Sequence, residues 1–281
     1  MTDMTRSERR KQNIAIAVMI LFVLPLVFMF IMFFGMAFFD GEGHVTLSNF
    51  QFVVGPMKLR DQTTIKPIGL ALRNSLLFTC LVTFFEVLVS MLAGYALSRL
   101  HFPGRRNIQT GLLVLRMFPN LLLLIAVLYV LMVLHVVNTL RGVVLVALAF
   151  RIPGSTFIIK NFFDGVSHDI ENSTLVDGCT PLSGFFQVII HLVKPGIVSI
   201  AVFSFMSAWS NFILFDTLLF GSKTPVMSTY IRALTRNDQL IPTYNVVAAM
   251  GIVYMLPVII FFLLTQKQLM EGNMGGGKGL S

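Results

Sequence analysis

Residues 171–195, ENSTLVDGCTPLSGFFQVIIHLVKP, form a polar, helix-capable insert between two long apolar runs. Ser167 or Asp169 can cap a short helix ahead of the corner. Asp177-Gly178 stops that helix, because glycine adopts the left-handed C′ conformation without a Cβ penalty. Thr180-Pro181 then restarts a helix, with Thr as N-cap and Pro in the first turn, where a missing N–H does no harm. Leu182, Phe185, Phe186, Ile189, Ile190 and Val193 fall on one helical face, and Ser183, Gln187, His191 and Lys194 lie away from it. Pro195 closes the segment. Two short helices at an Asp-Gly corner, held against a membrane by one apolar face, make a docking surface for a soluble partner.

The rest of the chain supplies the membrane. Of its 281 residues 56% are apolar, with a mean hydropathy of +0.81, against about 45–50% apolar in ordinary soluble domains. A bilayer-spanning helix needs roughly 20 mainly apolar residues. Six segments qualify: 14–39, 73–97, 111–134, 142–159, 196–220 and 246–265. The first is too long for the apolar core of a signal peptide and reads as a retained anchor. Lys and Arg near the membrane ends set orientation. With the N-terminus inside, inner segments hold Arg6, Arg9, Arg10, Lys11, Arg99, Arg105, Arg106, Lys160, Lys194, Lys267 and Lys278. Outer loops hold the fewer Lys58, Arg60, Lys66, Arg141, Lys223, Arg232 and Arg236. The acidic residues of the insert (Asp164, Asp169, Glu171, Asp177) contribute little to topology and suit a basic or hydrogen-bond-donating partner surface.

Several function classes drop out. The net charge of +8 reflects flanking charges on a membrane protein, since no basic stripe is interleaved with aromatics as nucleic-acid binding requires. Cys80 lies inside a span and Cys179 in the insert, so compartment and distance both argue against a disulfide. The five histidines are scattered over different segments, and there is no His-Glu-x-x-His or Gly-x-Ser-x-Gly. Residues 272–279, GNMGGGKG, imitate a phosphate loop, but Gly279 stands where magnesium needs Ser or Thr, and only Leu280 and Ser281 follow. Any ATP must therefore be hydrolysed by another chain.

The insert resembles the EAA loop of permease subunits in bacterial ABC importers. Glu171, Asp177, Gly178 and Pro195 fit its pattern; Asn172 and Ser173 replace two alanines, and His191 stands where the family often has proline. The stretch AGYALSRLHFPGR at 93–105 is similar to the family's AYALARLRFPGRR. Met117-Phe118-Pro119, Trp209-Ser210-Asn211 and the Gly-rich tail with Lys278-Gly279 resemble further family features in the right order. The combination points to the carbohydrate-importer branch that includes the maltose-type permeases. It implies an all-α membrane protein with six transmembrane helices, the type I ABC importer permease fold, and both termini inside. Residues 1–13 would be a cytoplasmic tail, 14–268 the permease domain with its coupling loop at 162–195, and 269–281 a flexible cytoplasmic tail. The resemblance also implies a homologous second permease, two ATPase subunits carrying ATP and magnesium, an extracytoplasmic solute-binding protein, a sugar substrate and a bacterial plasma (inner) membrane location. No cofactor of the chain's own is implied, and it would not be an enzyme. Glu171, Leu175, Asp177, Gly178 and Cys179 would couple to the ATPase. An ABC permease for another solute keeps the loop but changes the cavity; a secondary transporter or channel is the further alternative.

Ionisable groups inside spans face a bundle interior or a water-filled path. Glu86, Arg116 and Arg151 lie within spans, so they either line a polar path or pair, Glu86 with Arg116 or Arg151. Asp216 is near an outer end, where water solvates it. Sugars are held by planar hydrogen-bonding groups and stacked aromatics, which directs attention to Asn211, with Phe205, Trp209 and Phe212 beside it. Aromatics at helical spacing also serve as packing.

Overall fold

The computed structural model describes residues 6–40, 43–58, 64–219, 224–235 and 244–275. Long apolar runs become helices because backbone groups in lipid must find partners within their own segment. Among the described residues, four unbroken helices are long and apolar enough to cross a membrane: α1 (Arg6–Phe38), α3 (Gly69–Arg99), α6 (Leu140–Asp164) and α13 (Tyr244–Gly275). Between the first two lie a short α2 (Gln51–Val54) and the antiparallel pair β1 (Met57–Lys58) and β2 (Thr64–Ile65). Two further helix pairs are long and apolar enough only when taken together across a sharp bend. One is α4 (Arg105–Met117) with α5 (Asn120–Val133), at 104°. The other joins α8 (Pro181–Gly184), a π-helical stretch (Phe185–Ile189) and α9 (Ile190–Leu192) to α10 (Lys194–Trp209), at 73°. Counting each bent pair once gives six spans.

The breaks follow from proline and capping chemistry. Pro119 pushes Phe118 out of the helical region, to φ −78° and ψ 127°. Pro195 lacks the N–H that would continue the preceding helix, so α10 starts afresh with Pro in its first turn. The expected segment 196–220 is broken again at Ser210, after which Asn211 caps α11 (Phe212–Leu218). The remaining helices are α7 (His168–Val176) and α12 (Met227–Thr235). The Gly-rich end reads as a tail from 269, yet helix α13 continues through Met270 and Glu271 to Gly275; Lys278 and Gly279 lie outside the described residues.

Two compact units form. In the first (Met1–Ile68 with Ala233–Met255), buried Asn49 ties down the end of α1, donating to the carbonyls of Ala37 at 3.0 Å and Phe39 at 2.8 Å. Asn245 donates to Phe39 as well, at 2.7 Å. The second (Gly69–Arg232 with Leu256–Ser281) packs α3, α6 and α10 around one core of Phe78, Val82, Val143, Val146 and Phe215 and another of Ile159, Phe163, Phe185, Ile189 and Ile200. At Gly94 the α3 backbone touches α6: a Cβ there would meet Ile159 Cγ2 at 2.5 Å and the Lys160 amide nitrogen at 3.1 Å.

Candidate functional site

The Asp-Gly corner is built as its sequence dictates. Ser167, rather than Asp169, caps α7, its hydroxyl accepting from the Asp169 amide at 3.2 Å. Gly178 takes φ +85°, and the amides of Gly178 and Cys179 return to the carbonyls of Leu175 and Thr174 at 3.1 and 3.0 Å, satisfying the helix end. Thr180 caps α8 through the Ser183 amide at 3.2 Å. The apolar stripe divides between the core and the surface of the chain. Phe185, Ile189 and Val193 are buried and Ile190 is half-buried, but Leu182 and Phe186 are 68% and 51% exposed. Phe185–Ile189 is π-helical, and its wider turn brings residues four apart, Phe185 and Ile189, onto the buried face.

The inner face of this corner is clamped to α3. The Tyr95 hydroxyl donates to Glu171 Oε1 at 2.6 Å. Arg99 Nε stands 3.0 Å from Glu171 Oε2 as an ion pair, although its N–H direction misses the oxygen and makes no hydrogen bond. The rest of the Arg99 guanidinium donates to the Phe163 and Val166 carbonyls at 2.9 and 2.6 Å and meets His168 Nε2 at 3.0 Å. Tyr95 also packs on Phe163 and Phe185, with ring centroids 5.5 and 4.4 Å away. Ser98 donates to Asp164 at 2.6 Å, and Lys160 pairs with the same carboxylate. The outer face is bare: Val176 is 88% exposed, Leu175 45%, and Asp177 and Gly178 are exposed too. Of the five residues expected to meet a partner, Leu175, Asp177 and Gly178 face outward, Cys179 is half-buried, and Glu171 turns inward. The sequence signal for Val176 is its place beside Leu175 at the end of a helix whose one other apolar residue is Ile170.

A second polar centre joins α3, α6 and α10. Glu86, buried, accepts from Arg151 Nε at 2.6 Å, Ser155 Oγ at 2.5 Å and Ser204 Oγ at 2.7 Å. Arg151 donates in addition to Ser207 Oγ at 2.5 Å and to the carbonyls of Ser204 at 2.9 Å and Phe203 at 3.4 Å. Such saturation is what a buried charge requires. Arg151, not Arg116, is therefore the partner of Glu86; the Arg116 guanidinium lies against Gly154 of α6 instead.

Beside this centre is a cavity of about 240 Å³ whose polar lining is Asn120, Arg151, Ser207 and Asn211. Asn211 thus reaches a cavity, and its Oδ1 also caps α11 by accepting from the Leu214 amide at 3.3 Å. Phe205 and Trp209 are core residues: Phe205 stacks on Phe261 at 4.1 Å and on Trp209 at 6.4 Å, and both are buried. Phe212 is not among the lining residues, and Glu86 stands behind Arg151. Asn120 and Ser207 were not singled out from sequence; Ser204 and Ser207, three apart in an apolar helix, were the available signal.

Comparison with known proteins places the chain. The family described as binding-protein-dependent transport system inner membrane component matches residues 86–269. The chain is 28% identical over 212 residues to the sulfoquinovosyl glycerol transport system permease protein of Agrobacterium fabrum, covering 75% of this chain and 74% of that one. It is 29% identical to the trehalose transport system permease protein of Mycobacterium tuberculosis (73% and 75% covered). It is 26% identical to the maltodextrin transport system permease protein of Bacillus subtilis (73% of each). The crystal structure of a bacterial ABC transporter involved in the import of the acidic polysaccharide alginate matches with a TM-score of 0.73 at 17% identity, over 95% of this chain and 99% of that one. The fold is accordingly that of an ABC importer permease, and the chain is a membrane protein. It belongs to the family of binding-protein-dependent transport system inner membrane components.

Proposed function

We propose that this chain forms half of the translocation path of a carbohydrate importer, driven by ATPase subunits that dock on the Asp-Gly corner. The observation that carries the coupling role is the two-faced corner. Its outer side offers Val176, Leu175 and Asp177, while its inner side is fastened to α3 through Tyr95 and Arg99. A displacement of α7 is therefore passed to α3 rather than absorbed locally. The carbohydrate assignment is supported by relatives whose names specify trehalose, maltodextrin and diacetylchitobiose transport, and by the amides and hydroxyl in the cavity lining. By the same reading the chain works with a second permease and an extracytoplasmic binding protein; a related transporter has been solved with a periplasmic protein bound.

Reconstitution tests this. The chain, its partner permease, ATPase and binding protein are placed in proteoliposomes with labelled trehalose or maltotriose. Uptake should require ATP and the ATPase subunit. Uptake without the ATPase, or ATP-driven movement of amino acids with neither sugar carried, would sink the proposal.

A further inference from the structure

We propose that the Glu86–Arg151 pair sets the charge selectivity of the cavity, tuning it to an uncharged polyhydroxylated solute. The inference rests on the carbohydrate reading and goes beyond it by naming the residue that excludes charged sugars. Arg151 is the one ionisable side chain among the described lining residues; the other polar ones are Asn120, Ser207 and Asn211. A bare guanidinium there would favour carboxylate, sulfonate or phosphate groups, since Arg matches planar anions well. Here its charge is spent within the protein. Glu86 Oε2 is 2.6 Å from Nε, and the carboxylate is held in place by Ser155 and Ser204. The pair sums to zero charge at the cavity wall, so an entering anion meets no net attraction to offset its loss of hydration.

The remaining donors fit the same chemistry. Nη1 donates to Ser207, and Nη2 meets two α10 carbonyls. With five N–H donors on a guanidinium, one on Nη1 is left over beside the Ser207 hydroxyl and the Asn120 and Asn211 amides. That set supplies directional hydrogen bonds without net charge, which suits sugar hydroxyls. Glu86, though outside the cavity, acts through Arg151 as a positioning and charge-neutralising residue.

Saturation-transfer NMR on the purified permease–ATPase complex in nanodiscs, without binding protein, tests the idea. The probes are maltose, the matching glucosyl-glucuronate and the matching glucosyl-glucosamine. Wild type should bind maltose in preference to the uronate. Glu86→Gln unmasks Arg151 and should shift the maltose-to-uronate ratio at least about tenfold toward the uronate. The double variant Glu86→Gln/Arg151→Gln, again neutral, should restore the preference. Asn120→Asp, at an exposed position in the first turn of α5 where a carboxylate is tolerated, adds a negative charge and should shift binding toward the amino sugar. This variant carries the test alone if Glu86→Gln fails to assemble. An unchanged order of the three probes in an assembled Glu86→Gln complex, or in Asn120→Asp, overturns the proposal and leaves the carbohydrate reading standing. Binding of none of the probes by wild type overturns both.

Discussion

Tyr95 on α3 donates its hydroxyl to Glu171 on α7 at 2.6 Å, and Arg99, one turn further along α3, faces the other oxygen of the same carboxylate. Residues 76 positions apart in the chain are thereby held as one fastening. Removing the Tyr95 donor by Tyr95→Phe keeps the ring packing on Phe163 and Phe185 and should weaken the clamp by about 1 kcal/mol. The complex should still assemble, with less solute moved per ATP. Transport stoichiometry in proteoliposomes checks this; an unaltered ratio would show that the clamp does not transmit force.

At the corner itself, Gly178→Val places a β-branched residue at φ +85°, where an L-residue is strained by about 1–2 kcal/mol. ATPase recovered with the purified permease should fall sharply. Gly178→Asn, which tolerates positive φ, should retain most of it. Equal recovery from both variants would dissociate the turn from docking.

The outward apolar pair gives a second test of the docking face. Val176→Asp changes a side chain that is 88% exposed, so the fold should be unaffected. Loss of ATPase association with an unchanged melting temperature of the permease is the expected result. A normal complex would place the ATPase elsewhere.

Asn211 has two tasks, and substitutions can separate them. Asn211→Ser keeps an N-cap for α11 but shortens the reach into the cavity; Asn211→Ala removes both, at a capping cost of about 1 kcal/mol. If the amide contacts solute, Ser and Ala variants should lose transport alike while only Ala lowers the melting temperature. Wild-type transport in the Ser variant would confine Asn211 to capping.

Orientation is open to direct labelling. Single cysteines at Ser48 and Val54, both exposed, should react with an impermeant maleimide in intact cells. Those at Arg106 and Val176 should react only after permeabilisation. Labelling of position 176 from outside would reverse the topology.

The membrane class, the helices and the corner were legible because each rests on local signals. Apolar run length marked the four unbroken membrane-length helices, and Asp177-Gly178 and Thr180-Pro181 specify a stop and a start that need no distant partner. What escaped depended on three-dimensional neighbours. Nothing in the pattern of residues 185–189 distinguishes a π turn from an ordinary one, so the sequence places Phe186 on one apolar face with Phe185 and Ile189, whereas the structure buries those two and leaves Phe186 at the surface. Glu171 looked like a surface charge because Tyr95 and Arg99, which turn it inward, are far away in sequence. Glu86 had two possible cations, and only packing chose Arg151 over Arg116. Asn211 stands out in the sequence as a sugar-type side chain; that it lines one cavity with Asn120 and Ser207 depends on breaks in two helices.

The backbone contact at Gly94 limits how such a molecule can move. Since α3 packs on α6 there so closely that Ile159 leaves no room for a Cβ, and the two are joined again through Glu86–Arg151 and Ser98–Asp164, they cannot slide or splay without tearing several contacts at once. They form a single beam. Shape change within this unit must then fall to its joints, the interruptions at Phe118-Pro119, between Val193 and Pro195, and at Ser210-Asn211, where regular helix already breaks. Stiffening one of those joints should arrest the cycle more effectively than any alteration along the beam.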